Sequence, residues 1–572
     1  MRTPRTFTVV AVATITALAT GLPMLASADE SSPPTTQTAT GAEREYVVAY
    51  KGDRATVDAA VRAAGGTVVD VNSEVGLAKV STRNDGFLRT VRRQAGVRGA
   101  ARNNSVATVK PGMKHKFADE RPSVAEKRAA KDTVVANNRG RSSAEPLADR
   151  QWDMEMIDAD AAHRKATGRG VDVGIIDTGI DATHPDLKRN FDKKRSRNFT
   201  MDIPAIDGPC EYSTCIDPAN VDHGGHGTHV AGTVAADDNG FGIGGVAPDA
   251  RLINLRAGQD SGYFFLYETV AALVAAGEMK LDVVNMSFYT DPWLYNCASK
   301  DDYISGTVSD EEIAQQALTR ELVLSAVTYA SERGVTLVGS AGNGLTNLAL
   351  PTRTDDSSPD YPEGAARERV VTDNCLDLPN EAPEVISVSS VGPSGTKADY
   401  SNYGLGDIEV AAPGGWFRDG VGTSSYMTAG NMILSTYPLQ LAIDEGLADE
   451  NGDPVDAFSV KYCNAAGVCG FYTSLQGTSM ASPHVSGVAA LIVDRYGRST
   501  RGGGQALNPA RVRRIIERTA VDHACPAGGT EIYTDEGRPP SYNAICEGST
   551  DYNGLYGEGI VNAARAVGVP RT

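Results

Sequence analysis

Apolar positions along the chain recur in two periods, and the alternation between them predicts how it folds. From residue 45, "EYVVAY" reads as a strand. "DRATVDAAVRAAGG" follows as a helix, with Val57, Ala60, Val61 and Ala64 on one face and Gly65-Gly66 as its stop. "TVVDV" and "GLAKVST" read as further strands, "DGFLRTVRRQAG" as a second helix and "NNSVATV" as a last short strand. The order β, α, β, β, α, β is that of a small ferredoxin-like α+β unit. Residues 107–150 are polar and rich in Lys, Arg, Ala and Asn, with no sustained apolar period, which predicts an exposed linker.

Beyond residue 150 the pattern is larger and more regular. Unbroken apolar strands ("GVDVGIID", "ARLINLRA", "LDVVNMSF", "VTLVGSAGN", "EVISVSSVG") alternate with helical stretches ("GHGTHVAGTVAA", "YETVAALVAAGEM", "QQALTRELVLSAVTYASERG"). Such alternation predicts an α/β fold, a parallel sheet covered by helices on both faces. Functional side chains then belong at strand carboxyl ends, where Asp177, Asn285 and Asn343 fall.

The first residues change the compartment. Arg2 and Arg5 precede "FTVVAVATITALATGLPMLA", and Ala26-Ser27-Ala28 supplies the small residues of a cleavage site, so residues 1–28 read as an export signal rather than a membrane anchor. Eight cysteines suit an oxidising destination. Short separations favour Cys210 with Cys215, Cys463 with Cys469 and Cys525 with Cys546, which leaves Cys297 with Cys375. No paired Cys-x2-Cys motif argues for a metal instead. Charge divides the chain: the first 150 residues carry 23 Lys and Arg against 15 Asp and Glu, the remainder 31 against 57. An acidic body disfavours nucleic acid as a partner, and a basic N-terminal piece is suited to dock onto it in cis.

"QGTSMASPHVSGVAAL" (476–491) places Ser479 at the start of a helix of small residues, where unpaired N–H groups and the positive end of the helix dipole suit a nucleophile whose reaction makes an oxyanion. Singly, each candidate has a plainer reading. Ser479 suits a helix cap and Asp177 a turn, while His223, His226 and His229 are spaced closely enough for zinc. Gly225 and Gly227 argue for His226 as an imidazole held in a crowded backbone to meet another side chain.

Taken together, "DTGIDATHPDL" (177–187), "HGTHVAGTVAADDNGFGIGGVAP" (226–248), "SAGN" (340–343) and "GTSMASPHVSG" (477–487) resemble the subtilisin-like serine proteases, and the likeness continues through "SNYGLGDIEVAAPG" and "YGEGIVNAARAV". The resemblance implies a three-layer peptidase domain over 151–572, an inhibitory propeptide over 29–106 and a linker cut during maturation over 107–150. It implies Ser479 as nucleophile, His226 as general base, Asp177 as its orienting carboxylate and Asn343 as oxyanion donor. Ser261 and Gly262 would flank a bound peptide, and Ser287 with Ser340, Ala341 and Gly342 would wall the pocket for the residue before the scissile bond. Phe288 and Tyr289 depart from the family here, replacing the glycines that leave that pocket room. No catalytic cofactor is implied. A structural calcium is, held by Asp186 and Asn239 with main-chain oxygens of Asp237, Phe241 and Ile243. The acidic stretch 439–472 is expected at the rim of the cleft. The chain is expected to act as a monomer on proteins or peptides, in contact with its own propeptide and, once the signal is removed, with no membrane. An esterase would carry its serine in Gly-x-Ser-x-Gly, which this site lacks, and an inactive binding module would be expected to lack one of Asp177, His226, Asn343 or Ser479.

Overall fold

Seven parallel strands form the centre of the protein, in the order Val410–Pro413, Val385–Val391, Thr336–Ser340, Val283–Met286, Asp172–Ile176, Arg251–Arg256, Arg197–Asn198. The computed structural model describes residues 43–103, 116–130, 145–499 and 505–570. The expected export signal lies outside them. Successive residues of each central strand serve opposite faces. Val283 and Val338 pack with the helices His226–Ala235 and Thr478–Tyr496; Val284 and Leu337 pack with Leu266–Met279 and Asp310–Glu332. Both faces are covered, which explains the unbroken apolar strands.

The N-terminal unit runs Arg44–Tyr50 (strand), Arg54–Ala63 (helix), Thr67–Asn72 and Leu77–Thr82 (strands), Phe87–Val91 (helix) and Val97–Arg102 (strand). Thr67–Asn72 and Val97–Arg102 are the edges of its antiparallel sheet, with Leu77–Thr82 and Arg44–Tyr50 between them. The last strand therefore precedes "NNSVATV", where the sequence put it; residues 104–109 of that stretch lie outside the described chain. One face of the sheet, with Tyr46, Val48 and Val80, packs on the unit's own helices through Val57, Val61, Phe87 and Val91. The other, with Val47, Ala49, Leu77 and Ala101, joins the core beneath Leu266–Met279 and Asp310–Glu332. Full burial of a side chain such as Val47 or Leu77 contributes about 1.5–3 kcal/mol.

Charge reinforces the contact. Lys79 reaches Glu268 at 2.8 Å and Glu45 at 3.2 Å, Asn103 donates to Glu268 at 3.0 Å, and Arg98 and Arg102 pair with Glu321 and Glu311. Burial alone would lower the Lys79 ammonium; Glu268 and Glu45 outweigh it and hold the group charged.

The four disulfides join Cys210 to Cys215, Cys297 to Cys375, Cys463 to Cys469 and Cys525 to Cys546, as the spacings suggested. Among the described residues no helix is long and apolar enough to cross a membrane.

Candidate active site

Register places the candidate residues on one edge. Ile176 and Gly339 both lie opposite Met286, so Asp177, Ser287 and Ser340 emerge together at the carboxyl end of the sheet. Asp177 is fully buried, and its Oδ1 accepts from His226 Nδ1 at 2.7 Å and from the Thr178 N–H at 2.8 Å. His226 begins its helix immediately after Gly225, whose φ of 79° favours glycine and where a Cβ would stand 2.5 Å from the Tyr437 ring. At Gly227 a Cβ would meet the Gly179 carbonyl at 2.2 Å. The two glycines let the histidine turn approach the Asp177 strand closely enough for that bond.

Ser479 lies in the first turn of the 19-residue helix Thr478–Tyr496, nearly buried, with its Oγ 3.5 Å from the Ser287 carbonyl. Asn343 is oriented by Thr478, whose N–H and Oγ1–H both donate to Asn343 Oδ1, at 2.9 and 2.8 Å. That leaves the amide nitrogen to face the helix start, where a Cβ on Gly477 would be 3.4 Å from it.

A segment expected to be exposed linker occupies the cleft. Residues 116–120 form a short 3₁₀ turn and Val124–Ala129 a helix, capped by Ser123 and Glu126. The Phe117 ring stacks on the His226 imidazole at 3.8 Å, and buried Glu120 brings Oε2 to 3.3 Å from His226 Nε2. Glu120 also accepts the Gln476 N–H through its carbonyl. Arg121 bonds Tyr437 and Glu445, Lys127 pairs with Asp456, and Glu126 with Arg418, so the segment is strapped to the body along its length. Three of those partners, Glu445, Asp456 and neighbouring Tyr437, belong to or adjoin the acidic stretch 439–472.

The strap changes the electrostatics of the histidine. Burial in itself would lower the His226 imidazolium, but Asp177 and Glu120 outweigh it and push the group up to about 10. Its Nε2 lies 3.3 Å from the Glu120 carboxylate, which favours the imidazolium over the neutral ring.

The three neighbouring histidines do not converge on a metal. His229 Nε2 meets the carbonyls of Ile433 and Thr473 at 3.1 Å, and burial lowers it to about 3. His223 belongs to a different cluster with Glu211, Asp217 and Asp260. Its bond to Asp217 pushes it up to about 9, and the buried Arg256 guanidinium already pairs with Asp217 and Asp260 there.

Of the expected substrate residues, Ser287, Ser340 and Gly342 line a cavity beside Ser479, with Ala341 buried between the last two. Ser287 Oγ is bonded to Asn285, Ser482 and the Ser479 carbonyl. Ser261, expected to flank a bound peptide rather than to line this cavity, donates through N–H and Oγ to Asp207, and the Gly262 N–H bonds the Gln259 carbonyl. Around the expected cation loop, Asp186 accepts from the Ile243 N–H, Tyr472 O–H and Asn239 amide. The Asp237 carboxylate, as distinct from its main-chain oxygen, pairs with Arg189. Phe241 and Ile243 are buried. Burial pushes the Asp186 carboxyl up to about 7; burial and Asp238 push Glu145, which accepts the Gly240 N–H, up to about 8. At Gly242 a Cβ would fall 2.4 Å from Asp186 Oδ2, so only glycine leaves this cradle open.

Asp222 was not singled out from the sequence. Its Oδ1 accepts from Thr178 Oγ1 and the N–H groups of Gly224 and Gly225, and its Oδ2 from Thr228 N–H and Oγ1. It fixes the turn that carries His226. An aspartate two residues before paired glycines is the available signal, and it reads equally as an ordinary turn.

Residues 168–544 match the model of the subtilase family. Subtilisin DY of Bacillus licheniformis is 29% identical over 372 residues, 65% of this chain and 91% of that protein. Fervidolysin of Fervidobacterium pennivorans is 28% identical over 491 residues, 84% of this chain; the match spans only 55% of fervidolysin's own length. The solved epidermin leader peptide processing serine protease of Staphylococcus aureus shares the fold with a TM-score of 0.59 at 22% identity, over 93% of this chain and 99% of that one.

Proposed function

This chain belongs to the subtilase family of serine endopeptidases, and from that premise we propose that it is an exported zymogen that hydrolyses peptide bonds of proteins through Ser479, His226 and Asp177. The observation that carries the reading is the buried 2.7 Å bond between Asp177 and His226, at the sheet edge where Ser479 begins its helix. Once Glu120 and Phe117 leave, His226 Nε2 is free to take the Ser479 proton as Oγ attacks the substrate carbonyl. The Asn343 amide and the Ser479 N–H receive the oxyanion. The C–N bond then breaks, the amine departs with the proton held by His226, and water activated by the same imidazole hydrolyses the ester on Ser479. The test is covalent labelling by a fluorophosphonate. One adduct is expected on the shortened wild-type chain and none on Ser479→Ala; a folded, shortened chain that takes no adduct is a binding module instead.

Residues 29–106 act in this reading as the inhibitory propeptide and residues 107–150 as the region cut, with 151–572 as the peptidase domain. Contacts of the body with Glu145 and Leu147 favour a cut before residue 145. Secretion is supported by the N-terminal signal pattern and by four disulfides, which persist in oxidising surroundings.

Glu120 gives the uncut state a pH signature. A histidine whose folded pKa is raised contributes stability that is complete below its unfolded value, about 6.5, and is lost as pH rises through about 10. Uncut Ser479→Ala protein is expected to lose thermal stability across that window, and Ser479→Ala/Glu120→Gln to lose distinctly less. Calorimetry at pH 6.5, 8 and 10 compares them; equal slopes would remove Glu120 from the inhibition.

A calcium ion fits the loop at Gly242. Asp186 and Asn239, with carbonyls of Asp237, Phe241 and Ile243, would hold it, and its charge would relieve the buried carboxyls of Asp186 and Glu145. Calcium at 100 times its dissociation constant is expected to stabilise the fold by about 2.7 kcal/mol. A melting temperature unchanged by a chelator would exclude the site.

A further inference from the structure

The cavity beside Ser479 has a volume of about 240 Å³ and is lined by Asn343, Thr478 and Ser479 among others, so in the reading above it would receive the side chain that precedes the scissile bond. Its lining includes Ser340, Gly342 and Asn343 with Ser287, Phe288 and Tyr289 from the body, and Phe117, Asp119 and Glu120 from the strap. Phe288 and Tyr289 do not close it. Phe288 stacks flat on Phe264 with centroids 4.0 Å apart, and the Tyr289 hydroxyl is tied to Asp360 at 2.5 Å. They supply an aromatic lining to a cavity that persists beneath the strap.

Of the described body residues lining that pocket, Asp377 alone is charged. It is 2% exposed, and its Oδ2 would lie 3.6 Å from a Cβ on Gly342. Its segment is rigid. The Asp377 N–H donates to Glu381, which also holds Arg353 through two 2.6 Å bonds; Leu376 pairs with Asn296, and Cys375 is bonded to Cys297. A carboxylate fixed in this way is preorganised for a ligand that reaches it.

An aromatic, largely neutral channel with an acid in its wall matches a long side chain whose stem is aliphatic and whose head is cationic. We propose that this pocket takes lysine or arginine, so that the protease cleaves after a basic residue, with Asp377 receiving the cationic head. The inference rests on the serine-protease reading above and names the substrate side of the same site. A neutral side chain in that position offers the Asp377 carboxylate no opposite charge, whereas lysine or arginine does, and a site built for a charge discriminates strongly between the two. The acidic body, with 57 Asp and Glu against 31 Lys and Arg after residue 150, attracts basic segments to the cleft.

The shortened wild-type enzyme is first titrated with fluorophosphonate to count active sites, then given peptide anilides that differ only at the residue before the cleaved bond. Lysine and arginine are expected to exceed methionine and phenylalanine by about 30-fold or more in kcat/KM. In Asp377→Asn that ratio is expected to collapse to a few-fold. As a check independent of any variant, butylammonium should compete with a lysine substrate on the wild type far better than butanol does. Labelled enzyme that prefers methionine or phenylalanine, or a basic preference that survives Asp377→Asn, would overturn the assignment while leaving the serine protease intact. An enzyme that takes no label would end both.

Discussion

Ser479→Ala is expected to lower turnover about a million-fold, the size of loss known for this serine within the subtilisin family. Nothing nearby can substitute. Ser482 and Ser287 bond each other at 2.8 Å, and Ser287 Oγ is further engaged by the Asn285 amide and the Ser479 carbonyl. Fluorophosphonate adducts vanish for the same reason. The variant keeps the Ser479 N–H and Asn343, so some rate over water remains from binding and from the oxyanion donors. Because the substitution removes only one hydroxyl at a nearly buried position, the fold is unaffected, and loss of activity reports chemistry. Kinetics with a peptide substrate on the mature form measures it. A variant that retains a hundredth of wild-type turnover, or that is shortened equally well in a protease-free host, would contradict the assignment.

Asp177→Asn is expected to cost about ten-thousand-fold in turnover, through geometry rather than through any contact with substrate. Asp177 Oδ1 accepts two bonds, from His226 Nδ1 and the Thr178 N–H, in a site closed to water. An asparagine oriented to keep the Thr178 bond can still accept from Nδ1, but it carries no charge to stabilise the imidazolium that forms as Ser479 attacks. Turned the other way, it presents N–H to the ring and selects the tautomer whose Nε2 already bears a proton. Either outcome disarms the base while leaving Ser479 present. Slow fluorophosphonate labelling therefore accompanies the loss, in contrast to the absent labelling of Ser479→Ala. Labelling and turnover at wild-type rates would show that another group orients His226.

The sheet and its helices were legible because Asp172–Ile176, Val283–Met286, Thr336–Ser340 and Val385–Val391 are buried throughout, and because Leu266–Met279 and Thr478–Tyr496 are buried over most of their length. The disulfides were legible because three of the pairs close short loops. Val97–Arg102 was missed because "VRGAAR" offers small and charged residues where a strand pattern offers branched ones; it forms by backbone pairing to Arg44–Tyr50. Its arginines are spent on Glu321 and Glu311 of the helix alongside. The strap was missed for a different reason. A segment that buries Glu120 and part of Phe117 at one site and then meets the surface through Arg121, Glu126 and Lys127 has no period to detect. Asp377 was hidden in the same way, since an aspartate between two leucines says nothing until the fold brings it to the cavity that Ser287 lines.

The N-terminal sheet and the strap touch the body at two separate places and share one backbone. Held by a common chain, each keeps the other at an effective concentration far above any that free peptides reach, so the pair binds more tightly than either contact would alone. A single cut between residues 103 and 116 would turn the N-terminal sheet into a separate ligand while the strap stays joined to the body through its own chain, whereas a cut between residues 130 and 145 would release sheet and strap together as one bivalent ligand. Occupancy of the cleft is thus a property of connectivity as much as of the ion pair at His226.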